Sequence, residues 1–387
     1  MNHTESNRDL KILIVGAGIA GLTLSGLLKK QGFSPTVIEK LPKEKFNSSG
    51  YMIGLMPLGG RAFNMLDLRE DYLKNSLAIE KYSMYNTKGK RLNYFGLDDI
   101  AKYGTYQGIS RPKMIDLLLE RCDEPRFGTT VTKIAQSETT TQVTFSDGTS
   151  DTFDIVVIAD GIHSTTRDLA FGEPNRKYRQ TGWGGWAWFT DSLPPELGPN
   201  YREYWGADFF LGLYPVEGER VGVFLGGTMK DIKKAGHKRV AQKAEEIPSD
   251  LDLKEMMKPL ENNPDLFFWD FHDCRSKQWV NGTIALIGDA ADGFLPTAGI
   301  GASMAMDSAT ILADEITRCD PDQVAYALTL YQKRQQKRVI QAQNTSRLLG
   351  NIMFVKNPVF SWLRNQSIRF ASVNSFLGSI RKLIEER

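Results

Sequence analysis

Apolar residues near the start of the chain fall into short blocks separated by one helical stretch. Residues 11–15 form a β-branched apolar run, which is typical of a buried parallel strand. Residues 22–30 carry apolar side chains at helical spacing, Gly32 is a helix-stop signal, and residues 35–39 resume the strand pattern. This order of strand, helix and strand predicts a βαβ unit.

The rest of the chain shows a different pattern, with alternating and aromatic-rich segments. A turn signal at residues 87–90 separates two strand-like pieces, and residues 146–148 connect the strands of a hairpin. Amphipathic periodicity after Gly301 and over Val324–Met353 predicts two long helices. Four alternating segments predict an antiparallel sheet: Gly182–Phe189, Phe209–Tyr214, Arg220–Gly227 and Leu266–Phe271.

A glycine-rich turn, Gly16-Ala-Gly18-Ile-Ala-Gly21, directly follows the first strand. Gly16 permits a tight turn, Gly18 lets the backbone approach a pyrophosphate, and Gly21 allows close packing of helix and strand. The helix N-terminus offers N–H groups to the phosphates. Glu39 ends the second strand, where a carboxylate accepts hydrogen bonds from ribose hydroxyls and repels a 2′-phosphate. The expected dinucleotide site also includes Ile19, Ala20 and Lys40.

A second glycine-rich segment identifies the cofactor, because the first motif fits both FAD and NAD. An apolar strand leads into Gly288 and Asp289, and a loop then feeds another helix N-terminus. Asp289 can hold the ribityl hydroxyls of a flavin, and the helix start can face the flavin edge where negative charge develops on reduction. The two segments together predict FAD held at both ends. The expected residues at the flavin end are Asp289, Pro296, Gly299, Ile300 and Gly301.

These elements predict an α/β fold in which a Rossmann-like FAD-binding domain is interrupted by an antiparallel-sheet substrate domain and followed by C-terminal helices. The FAD-binding domain is expected over residues 1–75, 101–177 and 276–350, and the substrate-binding domain over residues 76–100 and 178–275. Residues 351–387 form an amphipathic, basic C-terminal helical segment. Three roles are open for it: packing across both domains, gating the active site, or touching a membrane.

Composition indicates an ordinary globular protein, with 41% hydrophobic and 24% charged residues in 387. The net charge of +2 indicates no nucleic-acid partner. Three scattered cysteines predict no metal site and suggest a reducing compartment. The first ten residues lack the apolar core of a signal peptide, and no apolar run is long enough to span a bilayer. We therefore expect a cytoplasmic monomer or weak oligomer without membrane contact.

Three segments in order carry a resemblance to a known family: the first glycine turn, residues 154–167 and the Gly288-Asp289 segment. Over residues 10–345 the chain resembles the single-component flavin-dependent aromatic hydroxylases of the p-hydroxybenzoate hydroxylase type. That group includes salicylate hydroxylase-like and tetracycline-inactivating monooxygenases.

The resemblance also implies roles for individual residues. Asp160 and Gly161 would support both FAD and NAD(P)H binding, Arg111 would contact the ribityl–pyrophosphate region, and Arg167 would help hold the cofactor geometry. The chain departs from the family pattern at two positions, with Asp292 where His is usual and Ile300 where Gln is common. Both departures leave the backbone contacts possible.

The activity implied by the resemblance is FAD-dependent monooxygenation. NAD(P)H and O2 would be used to hydroxylate an aromatic or polycyclic small molecule through a flavin C4a-hydroperoxide. The sequence shows no acid–base constellation, since its four histidines have no partner spacing, and no catalytic side chain is assigned. Only about half of the sheet aromatics can face the flavin, because side chains alternate along a strand. The substrate candidates are Phe210, Phe224, Phe294 and Pro296.

Three alternatives stay open. A flavoprotein reductase or dehydrogenase would pass hydride to an organic acceptor without oxygen uptake. A flavin-dependent halogenase is suggested by Gly185-Trp-Ala-Trp188, which matches the start of that family's pattern, although Phe189 and Thr190 follow where Ile-Pro is expected. A non-catalytic flavin-binding module would hold a cofactor that NAD(P)H does not reduce.

Overall fold

The computed structural model describes residues 9–47, 50–97, 102–263, 266–371, 378 and 381–385. Parts of the expected C-terminal helical segment, residues 372–377, 379–380 and 386–387, lie outside this range, as does His3. No helix in the described ranges combines the length and the apolar character needed to cross a bilayer. The named α-helices are Ile19–Lys30, Lys43–Phe46, Pro57–Met65, Arg69–Lys74, Arg111–Leu119, Thr165–Phe171, Met229–Glu245, Leu253–Asn262, Gly301–Arg318, Val324–Met353 and Pro358–Ile368.

A five-stranded sheet forms the centre of the nucleotide-binding half. Its strands lie in the order Val280–Asn281, Ile284–Leu286, Ile155–Ile158, Ile12–Val15 and Thr36–Ile38. The last four run parallel, and the first is antiparallel to its neighbour. Strand Ile12–Val15 and its neighbour Ile155–Ile158 are buried along their whole length, as expected for parallel strands covered on both faces. The helices Ile19–Lys30 and Gly301–Arg318 pack against each other over this sheet.

An eight-stranded sheet forms the other half. Its order is Asp292–Gly293, Phe268–Ser276, Arg176–Phe189, Arg220–Thr228, Phe209–Val216, Asn200–Trp205, Lys81–Asn86 and Arg91–Gly96. Neighbouring strands are antiparallel, except that Asn200–Trp205 runs parallel to Lys81–Asn86. Two three-stranded sheets complete the fold, with the orders Ser150–Phe153, Thr141–Phe145, Val131–Gln136 and Met52–Leu55, Gln107–Ser110, Leu77–Ala78.

The eight-stranded sheet separates two apolar clusters. One face packs with the helices Met229–Glu245 and Leu253–Asn262 and buries Trp186 and Trp188. The opposite face carries a second cluster that includes Phe210 and Phe224. Because side chains alternate along each strand, the aromatic residues are divided between the helix-covered face and the opposite, inner face of the sheet.

The predicted fold class is confirmed, since a Rossmann-like parallel sheet, an antiparallel sheet and C-terminal helices are all present. The long helix has the predicted bounds, Val324–Met353. The strand Asn200–Trp205 was not among the predicted segments. The domain boundaries stay a prediction. The eight-stranded sheet takes its strands from residues 81–96, 176–276 and 292–293.

A buried ion pair joins the long helix Val324–Met353 to the eight-stranded sheet. Asp273 lies in the strand Phe268–Ser276 with no exposed side-chain surface, and Arg347 donates to both its oxygens at 2.7 and 2.8 Å. Nearby, Gln343 Nε2 donates to the main-chain oxygens of Cys274 and Gly293. Polar contacts inside the protein therefore hold the helix in addition to those at its surface.

Replacing Asp273 should destabilise the protein strongly. Asp273→Asn leaves Arg347 without its charged partner, and we expect the free energy of unfolding to fall by about 3–5 kcal/mol in chemical denaturation. The control is Glu255→Gln, which breaks the exposed pair with Lys258 and should cost less than about 1 kcal/mol. Similar losses for the two variants would contradict this account.

Candidate active site

The carboxyl ends of the parallel strands meet at one edge of the five-stranded sheet. Gly16, Glu39, Asp160 and Asp289 follow, or lie just beyond, four different strands at this edge. All four line one cavity of about 620 Å³, which continues to the inner face of the eight-stranded sheet. A crevice at the carboxyl ends of parallel strands is where open α/β folds bind their ligands.

Backbone contacts fix the shape of the glycine turn. Gly16 has a φ of +108°, and a Cβ atom at Gly16 would lie 2.6 Å from the Ala159 carbonyl oxygen. A Cβ at Gly21 would lie 2.0 Å from the Gly16 oxygen. A Cβ at Gly18 would have nothing within 4 Å, so this glycine faces open space. Gly16 and Gly21 are thus required for packing, whereas Gly18 leaves room for a ligand.

Two helix N-termini point their free N–H groups at the cavity. The helix Ile19–Lys30 begins after Gly18, and the helix Gly301–Arg318 begins after Ile300. Neither has a side-chain cap or an acidic residue in its first turn. The first N–H groups of a helix have no intrahelical partner and carry a partial positive charge, so both ends suit an anionic group.

Glu39 is held at the end of its strand by two main-chain donors. Its Oε2 accepts from Ala17 N at 3.0 Å, and its Oε1 accepts from Leu41 N at 2.9 Å. Each oxygen keeps a further lone pair for a ribose hydroxyl. The glycine turn and the expected ribose-binding carboxylate are therefore linked directly.

Two acidic groups and an arginine lie between the ends of the cavity. Loss of solvation deep in the protein raises the pKa of Asp289 to about 6, although the side chain is exposed to the open cavity. Tyr51 and Arg111 are joined through the main chain, where Arg111 N donates to Tyr51 O at 2.9 Å, and both line the cavity with Asp289. Burial raises the pKa of Tyr51, Arg111 lowers it and Asp289 raises it. Burial raises the pKa of Asp160, and its buried Oδ1 has no hydrogen-bond partner in the described part of the chain.

Arg167 connects two of the segments that surround the cavity. Its side chain is fully buried and donates to Ala290 O at 2.9 Å, Ile162 O at 3.2 Å and Tyr178 Oη at 3.2 Å. It fixes the loop after Asp160 against the turn that contains Asp289. Arg167 does not line the cavity, so it is a positioning residue.

All four substrate candidates line the cavity: Phe210 and Phe224 from the eight-stranded sheet, and Phe294 and Pro296 from the loop before Gly299. The halogenase-like Trp186 and Trp188 lie on the other face, where Trp188 Nε1 donates to Met256 O at 3.1 Å. The two tryptophans are thus core residues in this fold.

Most of the expected cofactor residues also line the cavity. Gly21 and Ile300 do not, because Gly21 packs on Gly16 and Ile300 is buried. The lining members are Gly16, Gly18, Ile19, Ala20, Glu39, Lys40, Arg111, Asp160, Gly161, Asp289, Pro296, Gly299 and Gly301.

Several cavity residues were not found from the sequence. Some come from the strand Asn200–Trp205, whose odd-numbered side chains share the inner face; the run 201–205 does not alternate between apolar and polar residues, so no local pattern marks it as a cavity strand. Others come from the end of the long helix. The missed residues include Tyr82, Tyr106, Tyr201, Glu203, Trp205, Tyr214, Trp269, Met353 and Phe354.

A family profile described as FAD binding domain matches residues 9–342. The chain belongs to this family. Among its relatives, a flavin-dependent monooxygenase of an unknown prokaryotic organism is 26% identical over 340 residues, covering 84% of each chain. The 3-amino-4-hydroxybenzoate 2-monooxygenase of Streptomyces cremeus is 27% identical over 329 residues, covering 79% of this chain and 78% of the relative.

The crystal structure of Klebsiella pneumoniae HpxO complexed with FAD and uric acid has the same fold. It superposes with a TM-score of 0.86 at 21% identity, covering 100% of this chain and 99% of that one. The predicted family is therefore confirmed. The chain is an FAD-dependent monooxygenase.

The observed residues fit FAD. Open space at Gly18, two uncapped helix N-termini and the unpartnered Asp160 Oδ1 all face or adjoin the cavity. FAD offers a pyrophosphate, ribose and ribityl hydroxyls and a flavin ring that becomes anionic on reduction, which are the groups that such donors and acceptors bind.

Alanine at Gly18 should weaken FAD binding, whereas alanine at Gly21 should lower the stability of the protein. Gly18→Ala has room for its methyl group and a compatible φ of −75°, so stability should be kept while FAD binds at least about tenfold more weakly, a loss of about 1.4 kcal/mol. Gly21→Ala meets the Gly16 carbonyl and should lower the free energy of unfolding of the FAD-free protein by about 1–3 kcal/mol. FAD titration and denaturation of both variants test this; normal FAD affinity in Gly18→Ala would refute it.

Asp292, which replaces the family's usual histidine, should give the protein a pH-dependent stability. Its side chain is buried, and this burial raises its pKa to about 7, although the Ser276 N–H and Arg275 lower it. Folded Asp292 thus keeps its proton to a higher pH than in the unfolded chain, so its contribution to stability falls as pH rises from about 4 to about 7.

The test compares wild type with Asp292→Asn, which imitates the protonated acid. From pH 4 to pH 8 the stability of Asp292→Asn should gain about 4 kcal/mol relative to wild type. Exposed Asp191→Asn is the control and should follow the wild-type profile. A constant difference between wild type and Asp292→Asn would disprove the assignment.

Proposed function

We propose that the chain uses NAD(P)H and O2 to hydroxylate an aromatic or polycyclic small molecule through a flavin C4a-hydroperoxide. The observation that supports this proposal most directly is that one cavity is continuous between the two halves of the protein. Its lining runs from Gly18 and Glu39, past the helix start at Gly301, to the aromatic inner face of the eight-stranded sheet. A cofactor held along the first part has its reactive ring beside a pocket for a second, flat molecule.

The residues around the cofactor would divide its binding between them. The turn at Gly16–Gly18 would bind the pyrophosphate, Glu39 the adenosine ribose, and Asp289 the ribityl chain. Arg111 would contact the ribityl–pyrophosphate region. The uncapped helix start at Gly301 would stabilise the negative charge that reduction places on the flavin ring.

The residues around the substrate would position it and keep the site dry. Phe210, Phe224, Phe294 and Pro296 present apolar surface to the cavity. FAD supplies the redox and oxygen chemistry, so the side chains need only hold the aromatic ring and exclude water. 3-Amino-4-hydroxybenzoate and uric acid, named with the relatives, are both electron-rich rings, and we propose a ring of that kind for this chain.

The test is an oxygenation assay with purified, FAD-loaded protein. NADH and NADPH are each mixed with a panel of phenols, quinolones and tetracyclines in buffer equilibrated with ¹⁸O2. We expect one ring class to accelerate NAD(P)H oxidation and to gain one ¹⁸O atom per turnover. Gly18→Ala is the matched control, since lower FAD occupancy should lower the rate in proportion.

Three results would contradict the proposal. Hydride transfer to an organic acceptor without oxygen uptake would indicate a reductase or dehydrogenase. A product that requires chloride would indicate a halogenase. A flavin that neither NADH nor NADPH reduces would indicate a binding module.

A further inference from the structure

The substrate end of the cavity contains a buried carboxyl group. Glu203 lies in the strand Asn200–Trp205, between Tyr201 and Trp205 on the same inner face. It is only 3% exposed and stands opposite Met84 on one neighbouring strand and Gly212 on the other. An acidic side chain in an aromatic pocket requires partners, because burying a charge without them costs several kcal/mol.

All the hydrogen-bond donors around Glu203 that the structure shows are uncharged. Trp205 Nε1 donates to its Oε2 at 2.7 Å, and Tyr214 Oη donates to its Oε1 at 2.7 Å. Burial raises the pKa of Glu203, and its interactions with the Tyr82, Tyr214 and Trp205 side chains lower it. A carboxylate has about four acceptor positions, so it retains capacity toward the cavity.

Basic side chains lie elsewhere. Among the described lining residues, the only basic side chains are Lys40, Arg111 and His163, and all three belong to segments at the cofactor end. The neighbouring Arg202 points to the opposite face and pairs with Asp250. The acidic centre at the substrate end therefore has no counter-ion in the described lining.

Arg364 contacts this wall from behind. Its guanidinium lies over the ring of Trp205, 5.3 Å from the ring centroid, and the residue does not line the cavity. Its N–H groups donate to Met353 O at 2.9 Å, Gly206 O at 3.3 Å and Ser361 Oγ at 2.9 Å. These contacts occupy the guanidinium outside the cavity.

A second polar atom in the pocket lacks a partner. Tyr201 is 3% exposed and lines the cavity, and its hydroxyl has no hydrogen-bond partner in the described part of the chain. Buried hydroxyl groups are nearly always hydrogen-bonded. The Tyr201 hydroxyl is itself buried, so it adds an unpaired polar atom to the wall beside Glu203 but no demonstrated contact with the cavity.

Gly212 makes this arrangement possible. A Cβ at Gly212 would lie 2.3 Å from the Tyr214 hydroxyl oxygen and equally close to its ring. Only glycine lets the Tyr214 ring lie flat across this position and reach Glu203. The local backbone is thus shaped around the carboxyl group.

We propose that Glu203 determines substrate specificity by accepting a hydrogen bond from an N–H or ammonium group on the aromatic substrate. An aromatic carboxylate is excluded, because its charge would meet a buried acidic group with no cation beside it. This inference rests on the proposed function only in assuming that the aromatic end of the cavity holds the substrate.

The test measures binding by perturbation of the flavin absorbance, so it does not depend on oxygenation. Three ring systems, phenol, naphthol and quinoline, are each supplied with an aminomethyl, a carboxamide or a carboxylate substituent at one position. In at least one ring system the wild type should bind the amine or the amide at least about tenfold more tightly than the carboxylate. Equal or tighter binding of the carboxylates would overturn the proposal.

Glu203→Gln supplies the second arm. The variant loses the acidic group and gains an amide donor, so the preference against the carboxylate should shrink at least about fivefold while FAD content is unchanged. Exposed Glu80→Gln is the matched control and should keep the wild-type ranking. A Glu203→Gln protein that folds and keeps the full preference would also overturn the proposal; if it does not fold, the wild-type ranking decides.

The two proposals fail separately. A clear preference for N–H compounds without ¹⁸O incorporation would contradict monooxygenation but support the role of Glu203. Oxygenation of carboxylates as efficiently as of the matched amines and amides would support monooxygenation and reject the role of Glu203.

Discussion

Close backbone contact at the first glycine turn is the constraint on which the rest of this structure depends. The end of one strand, the start of a helix and the end of the neighbouring strand approach so closely that Gly16 and Gly21 have no room for a methyl group. This contact directs the helix N-terminus along the sheet edge. Glu39 is then connected to the same turn through Ala17 N, so one local arrangement fixes both the helix N-terminus and the carboxylate to which we assign the phosphate and ribose.

Distant segments of the chain are brought to this edge by buried polar contacts. Arg167 joins the loop after Asp160 to the turn after the strand Ile284–Leu286, and Arg347 joins the long helix to the eight-stranded sheet. Both arginines act inside the protein, where an unpaired charge is costly and geometry is closely defined. The cavity is thus shaped by residues that do not line it.

More of the cofactor end than of the substrate end could be predicted from sequence. Gly16, Glu39 and Asp289 occur in local patterns whose geometry follows from a strand and the helix beside it. The position of Glu203 depends on the pairing of residues 200–205 with residues 81–86 and 209–216. A shift by one residue would turn Glu203 to the helix-covered face, and no local signal fixes that register.

The alternation of the strand Asn200–Trp205 has an evolutionary consequence. Tyr201, Glu203 and Trp205 face the cavity, whereas Arg202 and Tyr204 face away from it toward the helix-covered side of the sheet. Substitutions on one face can therefore change the accepted molecule while the other face continues to maintain the fold. Such a separation allows one face of the strand to vary while the fold is kept, and the fold itself is retained in HpxO at 21% identity with a TM-score of 0.86.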